Sequence, residues 1–267
     1  MSNVLRLTGV TLPGTGYPKL KSFLDPTPRL PVTSGLLGLY YLRDSIGGEL
    51  LNFAGGPNLT KVGSPQLLEN GAVCSPFNYY DTGIQAQPLG TILAIAVPTT
   101  EPTSLISSAP VMTNYTPGDY GTGDILYFGT TYQETGKNLV AAFSNTDGGN
   151  SPSPGSPATT PVYLPMVDPG SEPWAIFGTF VGNGHAAGRL KAGVLEKAVR
   201  NSAAYTRPSA PFGPTLRIGA SPSNRAFQGS STIILTAYFN RILTDAEILQ
   251  NLNYLRNDWG IQQSVWG

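Results

Sequence analysis

From Gly35 onward, turn-forming residues interrupt this chain every 8 to 15 residues, leaving only short apolar, β-branched and aromatic runs between them. Segments of that length, set off by Gly, Pro, Asn and Asp, are strands, and many short strands at regular spacing make a sandwich or a barrel. Strands are expected at 36–42, 58–62, 71–74, 91–97, 174–181, 189–191, 215–218 and 231–239. Residues 125–131 and 139–143 are expected to form a hairpin around 133–137. The stretch 91–97 is apolar at nearly every position, which predicts burial on both faces. Gly182-Asn183-Gly184 follows one strand as a turn, and His185 is read as part of the turn that runs to Gly188. Ala192-Gly193 follows another.

Composition narrows the field. Charged residues are 12% of the chain, against a usual share of about 25%. The 32 glycines and 24 prolines follow no collagen period. Aromatic residues are 10%, and 16 basic residues balance 16 acidic ones, so the chain is not a charged disordered tail. That balance also lacks the footprint of a nucleic-acid binder. The single cysteine, Cys74, excludes an internal disulfide framework and is expected to be a small buried apolar residue. The longest clear apolar run, 92–97, is too short to span a bilayer, so no membrane insertion is expected. The first residues show no charged-then-apolar signal peptide. The Asn58 and Asn114 glycosylation patterns are accordingly read as chance.

Two regions depart from the strand rhythm. Residues 1–34 form an extended Pro- and Gly-rich arm that still carries Leu5, Leu7, Val10, Leu12, Leu20, Phe23, Leu24 and Leu30. Proline at this density excludes helix and central strand. The apolar residues suit an arm that docks on its own domain or a neighbouring subunit; a poorly ordered leader is the alternative. A single β domain then occupies 35–267, with long loops at 98–124 and 144–171 that serve either function or subunit contact, or are simply solvated. One helix is expected near the end: Thr244-Asp245-Ala246-Glu247 is a capping box, and Ile248, Leu249, Leu252 and Leu255 follow at helical spacing.

The last third carries a resemblance. Leu216-Arg217-Ile218-Gly219, then Phe227-Gln228-Gly229, the strand 232–241 ending in Phe239-Asn240-Arg241, and Leu243-Thr244-Asp245-Ala246-Glu247-Ile248 resemble the C-terminal segment of laminin G-like domains of the concanavalin A-like lectin and glucanase superfamily. Gly38-Leu39-Tyr40-Tyr41-Leu42 is similar to the opening strand of these domains, and 174–180 to the strand that follows a Trp. The resemblance covers about residues 35–260; its middle, 98–171, is longer and richer in proline than the family pattern. It implies an all-β fold: a two-sheet antiparallel jelly-roll sandwich (concanavalin A-like) with one short C-terminal helix. It implies binding of carbohydrate or protein, sometimes through a rim Ca²⁺, and in some members glycoside hydrolysis.

Hydrolysis needs two carboxylates across the scissile bond. No strand carries an alternating pair: Glu69, Glu101, Glu134, Glu172 and Glu196 stand apart, and Asp245 and Glu247 belong to the helix cap. His185, the single histidine, has no nucleophile elbow beside it, and one His and one Cys cannot hold zinc. No enzyme activity and no catalytic residue are therefore expected. No cofactor is implied, and Ca²⁺ is the one metal the residues allow. Asp119, Asp124 and Asp147 lie in loops rich in Asn, Gly and carbonyls, without an Asp-x-Asp-x-Asp pattern; solvated turn aspartates are the alternative.

Sugar binding uses aromatic platforms rimmed by polar side chains. The candidates are Asn78, Tyr79, Tyr80 and Asp81; Tyr115, Asp119 and Tyr120; and Asn183 with His185. The alternative is that these tyrosines pack at strand ends. Two functions follow. The first expectation is a non-enzymatic structural protein on the outer surface of a bacteriophage virion, as capsid decoration or a tail component. It would be made in the host cytoplasm without a signal peptide, partnered by other virion subunits, and a homo-oligomer. The second is a glycan-binding or receptor-binding adhesion module that recognises a cell-surface glycan. A polysaccharide hydrolase is a third reading, disfavoured by the missing carboxylate pair.

Overall fold

Strict alternation of wet and dry positions, the mark of a strand with one face on a core, shows in Tyr79–Ala86: Tyr80, Thr82, Ile84 and Ala86 are buried, and Gly83 and Gln85 are exposed. In the computed structural model such strands dominate. It describes residues 29–43, 48–99, 102–115, 123–130, 138–144, 162–165, 172–182, 184–201, 207–222 and 227–260.

Among the described residues the chain order is β1 (Leu36–Tyr41), β2 (Thr60–Val62), β3 (Gln66–Leu68), β4 (Gly71–Cys74), β5 (Tyr79–Ala86), β6 (Gly90–Pro98), β7 (Ala109–Thr113) and β8 (Gly123–Gly129). Then come β9 (Asn138–Ser144), β10 (Val162–Pro165), β11 (Trp174–Val181), β12 (Gly184–Lys191), β13 (Val194–Asn201), β14 (Phe212–Ile218), β15 (Ser231–Phe239) and the helix α1 (Asp245–Asn253). A first antiparallel sheet runs β13-β12-β11-β6-β15-β4-β3, with β1 also paired to β15. A second runs β10-β9-β8-β7-β14-β5-β2. The protein is therefore the two-sheet antiparallel sandwich with a short C-terminal helix that the sequence predicts.

The sheets face each other across a core that includes Tyr40, Tyr80, Tyr238, Phe128 and Phe180, all fully buried. Their hydroxyls are accounted for: that of Tyr40 donates to the Pro57 carbonyl (3.2 Å), that of Tyr80 to Glu49, and that of Tyr238 accepts from the Gln87 amide (2.8 Å). The outer face of the first sheet is covered too. Leu243, Ile248, Leu252 and Leu255 of the helical segment pack on Leu93, Ile95, Phe177, Leu235 and Phe239. Central strands β6 and β15 thus have no wet face, which is why both read as unbroken apolar runs.

The capping box forms as expected. Thr244 Oγ1 accepts from the Glu247 amide (3.3 Å), and Glu247 Oε2 accepts from the Thr244 amide (2.8 Å). After Asn253 the helix widens into a π-helical turn over Tyr254–Gly260. Of the arm, Leu5, Leu7, Val10, Leu12, Leu20, Phe23 and Leu24 lie outside the described residues. Its last part lies on α1: Leu30 is buried, and the backbone of Val32 exchanges two hydrogen bonds with the Asn251 side chain (2.9 and 3.2 Å).

Several strands differ from the sequence reading, each for a physical reason. The stretches 98–124 and 144–171, expected to be loops, contain β7 and β10. Pro110 sits at a register irregularity of β7, and Pro165 ends the edge strand β10, both positions where proline removes no needed ladder bond. The turn expected at 182–188 is largely strand β12. Its small residues answer to packing: a Cβ on Gly188 would lie 2.3 Å from the Phe177 ring. The edge strand β13 leaves Val194 and Val199 exposed, so no apolar face marks it.

Candidate functional site

Where β5 and β14 pair, side chains of opposite chemistry project from the outer face of the second sheet. Cross-strand partners share a face. Arg217 of β14 lies between Asp81 of β5 and Thr113 of β7, and Thr113 in turn pairs with Ile125 of β8. Leu216 and Ile218, flanking Arg217, are buried in the core, so alternation turns Arg217 outward. On β5 the same alternation sends Tyr80 and Thr82 inward and Tyr79 and Asp81 outward.

Four half-buried side chains meet there. The Arg217 guanidinium lies 4.8 Å from the centre of the Tyr79 ring, a cation–π contact. Asp81 does not neutralise it: Oδ1 accepts from the Gly83 amide (2.9 Å) and Oδ2 from the Thr215 hydroxyl (2.8 Å). Among the described residues the Arg217 side chain makes no hydrogen bond and no ion pair, and its Nε is shut off from solvent without an acceptor. Beside this polar half lies a buried aromatic cluster. Phe227 meets Tyr127 (centroids 4.9 Å) and Tyr115 (5.9 Å) edge to face, over Ile125 and Val140.

The residues named from sequence fall in different places. Tyr79 and Asp81 belong to this face, whereas Tyr115 is buried in the aromatic cluster beside it. Asn78 closes the turn before β5, accepting from the Ser64 amide (2.8 Å) and donating to Ser75 (3.1 Å). Tyr80 points into the core, where burial, first, and its bond to Glu49 push its hydroxyl pKa up. His185 is corrected from turn to strand. It sits on the other sheet, paired with Phe180 and Arg200, 3% exposed. Asp119, Tyr120, Asn183 and Asp147 lie outside the described residues. Asp124 is no loop ligand: it is buried in β8 and gripped by Arg207. Among the described residues no three His, Cys, Asp or Glu side chains gather as a metal site, and no helix is long and apolar enough to cross a membrane. Asn114 is buried, with its amide donating to the Phe212 and Pro214 carbonyls.

Arg217 and Thr215 were not singled out as site residues. The available signal was a lone Arg alternating with Leu216 and Ile218 in a strand, which marks a wet face without saying what lies opposite.

No family model and no curated protein matches the chain. Solved structures do match in fold. The botulinum neurotoxin serotype G binding domain superposes with a TM-score of 0.59 at 11% identity, over 84% of this chain and 51% of that one. The binding domain of botulinum neurotoxin DC in complex with SialylT gives 0.57 at 10% identity, over 84% and 52%. A mutant Trypanosoma rangeli sialidase displaying trans-sialidase activity gives 0.53 at 13% identity, over 84% and 34%. The chain spans about half the length of the two neurotoxin domains and about a third of the sialidase. At these identities the likeness is one of fold alone, a two-sheet antiparallel β-sandwich.

Proposed function

We propose that this chain is a non-catalytic carbohydrate-binding module whose ligand lies on the outer face of the second sheet, against Tyr79, Asp81, Thr215 and Arg217. The carrying observation is that one half-buried patch brings together an aromatic ring, a carboxylate, a hydroxyl and a guanidinium from two paired strands. Sugars need that mixture, because their C–H faces pack on rings while their hydroxyls exchange hydrogen bonds with polar neighbours. Asp81 is the carboxylate that the described strands place on this face, and hydrolysis would need two. The likeness to a neurotoxin binding domain complexed with SialylT, and to a sialidase, supports a fold suited to presenting such a face. The test is a glycan array probed with the intact chain and with Tyr79→Ala. A response to a defined subset of glycans, lost in the variant at unchanged melting temperature, is expected. A flat array overturns the reading.

For its setting, we propose display on an assembled particle, such as a phage capsid or tail. Residues 29–34 anchor on α1, over the outer face of the first sheet, whereas the site faces outward from the second. A module attached through the arm would present its site away from the particle. Light scattering on the intact chain and on one beginning at Arg29 tests this: loss of an oligomer with residues 1–28 is expected, and identical monomers count against it.

A further inference from the structure

We infer that the sugar recognised by this face carries a carboxylate and that Arg217 is the group that reads it; the inference rests on the carbohydrate-binding reading above. Three other arginines of the fold are neutralised. Arg189 meets Glu196 (2.6 Å), Arg207 meets Asp124, and Arg241 meets Glu247 (2.7 Å). Arg217 meets no carboxylate among the described residues, although Asp81 stands directly across on β5. Both Asp81 oxygens are turned away to Thr215 and Gly83. The result is a guanidinium over the Tyr79 ring, its Nε shut off from solvent and its charge unanswered among the described residues. A planar fork in that state matches a planar carboxylate better than a sugar hydroxyl, because the two parallel N–H···O bonds are charge-assisted. Asp81 and Thr215, already coupled, stand beside the fork to take the hydroxyls of the ring that bears the carboxylate. Asp81 also sets a limit. Its negative charge repels a densely anionic ligand, so a single carboxylate on a hydroxyl-rich ring fits where a polysulfated or polyphosphorylated chain does not.

The experiment is isothermal titration of the intact chain with two acidic probes, sialyllactose and trigalacturonate, each against its methyl ester. The ester keeps the shape and removes the charge. At least one free acid is expected to bind about tenfold or more tightly than its ester, the difference expected of a charge-assisted bond. Whichever pair shows the gap names the class, sialic or uronic acid. The gap should close in Arg217→Gln and partly return in Arg217→Lys, which restores charge without the fork. It should also shrink as NaCl rises from about 50 to about 300 mM. If Arg217→Gln does not fold, the acid-to-ester comparison on the natural chain decides alone. Equal binding of acid and ester, or binding of neutral glycans only, overturns the inference and leaves the carbohydrate reading standing. No binding of any saccharide overturns both.

Discussion

The guanidinium of Arg207 closes on the carboxylate of Asp124 at the end of the sandwich core, Nη1 to Oδ1 at 2.5 Å and Nη2 to Oδ2 at 2.8 Å, with both side chains out of water. The same guanidinium donates to the Pro88 carbonyl (2.9 Å) and the Gln87 carbonyl (2.7 Å) and lies over the Phe212 ring. One side chain thus ties β8, β14 and the β5–β6 turn together.

Removing one partner of this pair leaves a buried charge unanswered. Asp124→Asn is expected to lower stability by about 3–5 kcal/mol, and replacing both residues with apolar ones of similar volume by much less. Urea unfolding of the two variants checks it, and equal losses would contradict the buried-pair account.

Acid should loosen the helix cap. The Arg241 guanidinium, first, and the Thr244 amide hold the Glu247 carboxyl at about 2, below its ordinary range. A depressed carboxyl contributes stability that is complete above its unfolded value, about 4.3, and is lost as pH falls toward the folded one. Melting temperatures from about pH 5 to about pH 2 are expected to fall less steeply for Glu247→Gln than for the natural chain. Parallel curves would rule the group out as a source of the acid sensitivity.

Cys74 should be inert while the protein is folded. Burial, aided by Glu49, pushes its thiol up to about 12, and the side chain is fully enclosed. A disulfide reagent at about pH 8 is expected to label it only after urea is added. Rapid labelling without denaturant would show that β4 opens readily.

Gly219 follows β14, two residues beyond Arg217, at φ +85°. A Cβ there would lie 2.0 Å from Cys74 Cβ. Gly219→Ala is expected to cost about 2 kcal/mol or more and to weaken saccharide binding by disturbing β14. Cys74→Ala should not rescue it, because it removes the contact with Sγ (2.8 Å) and keeps the closer one with Cβ; full rescue would refute that cause.

Local chemistry was the readable part. Thr244 and Glu247 are three residues apart, so the cap could be written down from the chain itself. The strands Trp174–Val181 and Ser231–Phe239 were legible to the residue, because an apolar stretch between turn residues leaves little choice. Strand β13 was not, since an edge strand with exposed Val194 and Val199 carries no one-faced pattern. Nor was β12, where glycine and alanine answer to Phe177 on the neighbouring strand.

The candidate site divides along the same line. Tyr79 and Asp81 were visible in the sequence as an aromatic beside a carboxylate. That Tyr80 between them is lost to the core, and that Thr215 and Arg217 are the missing partners, depends on contacts as far as 134 residues apart along the chain. By itself the sequence determined the apolar strands bounded by turn residues, such as Trp174–Val181 and Ser231–Phe239, where the helix starts and that the fold is a sandwich or a barrel, because propensity, turns and caps act over a few residues. The tertiary structure decided which side chains share the outer face of the second sheet. A strand's register is set by the core it must bury, and a slip of one residue would send Arg217 inward and Leu216 out.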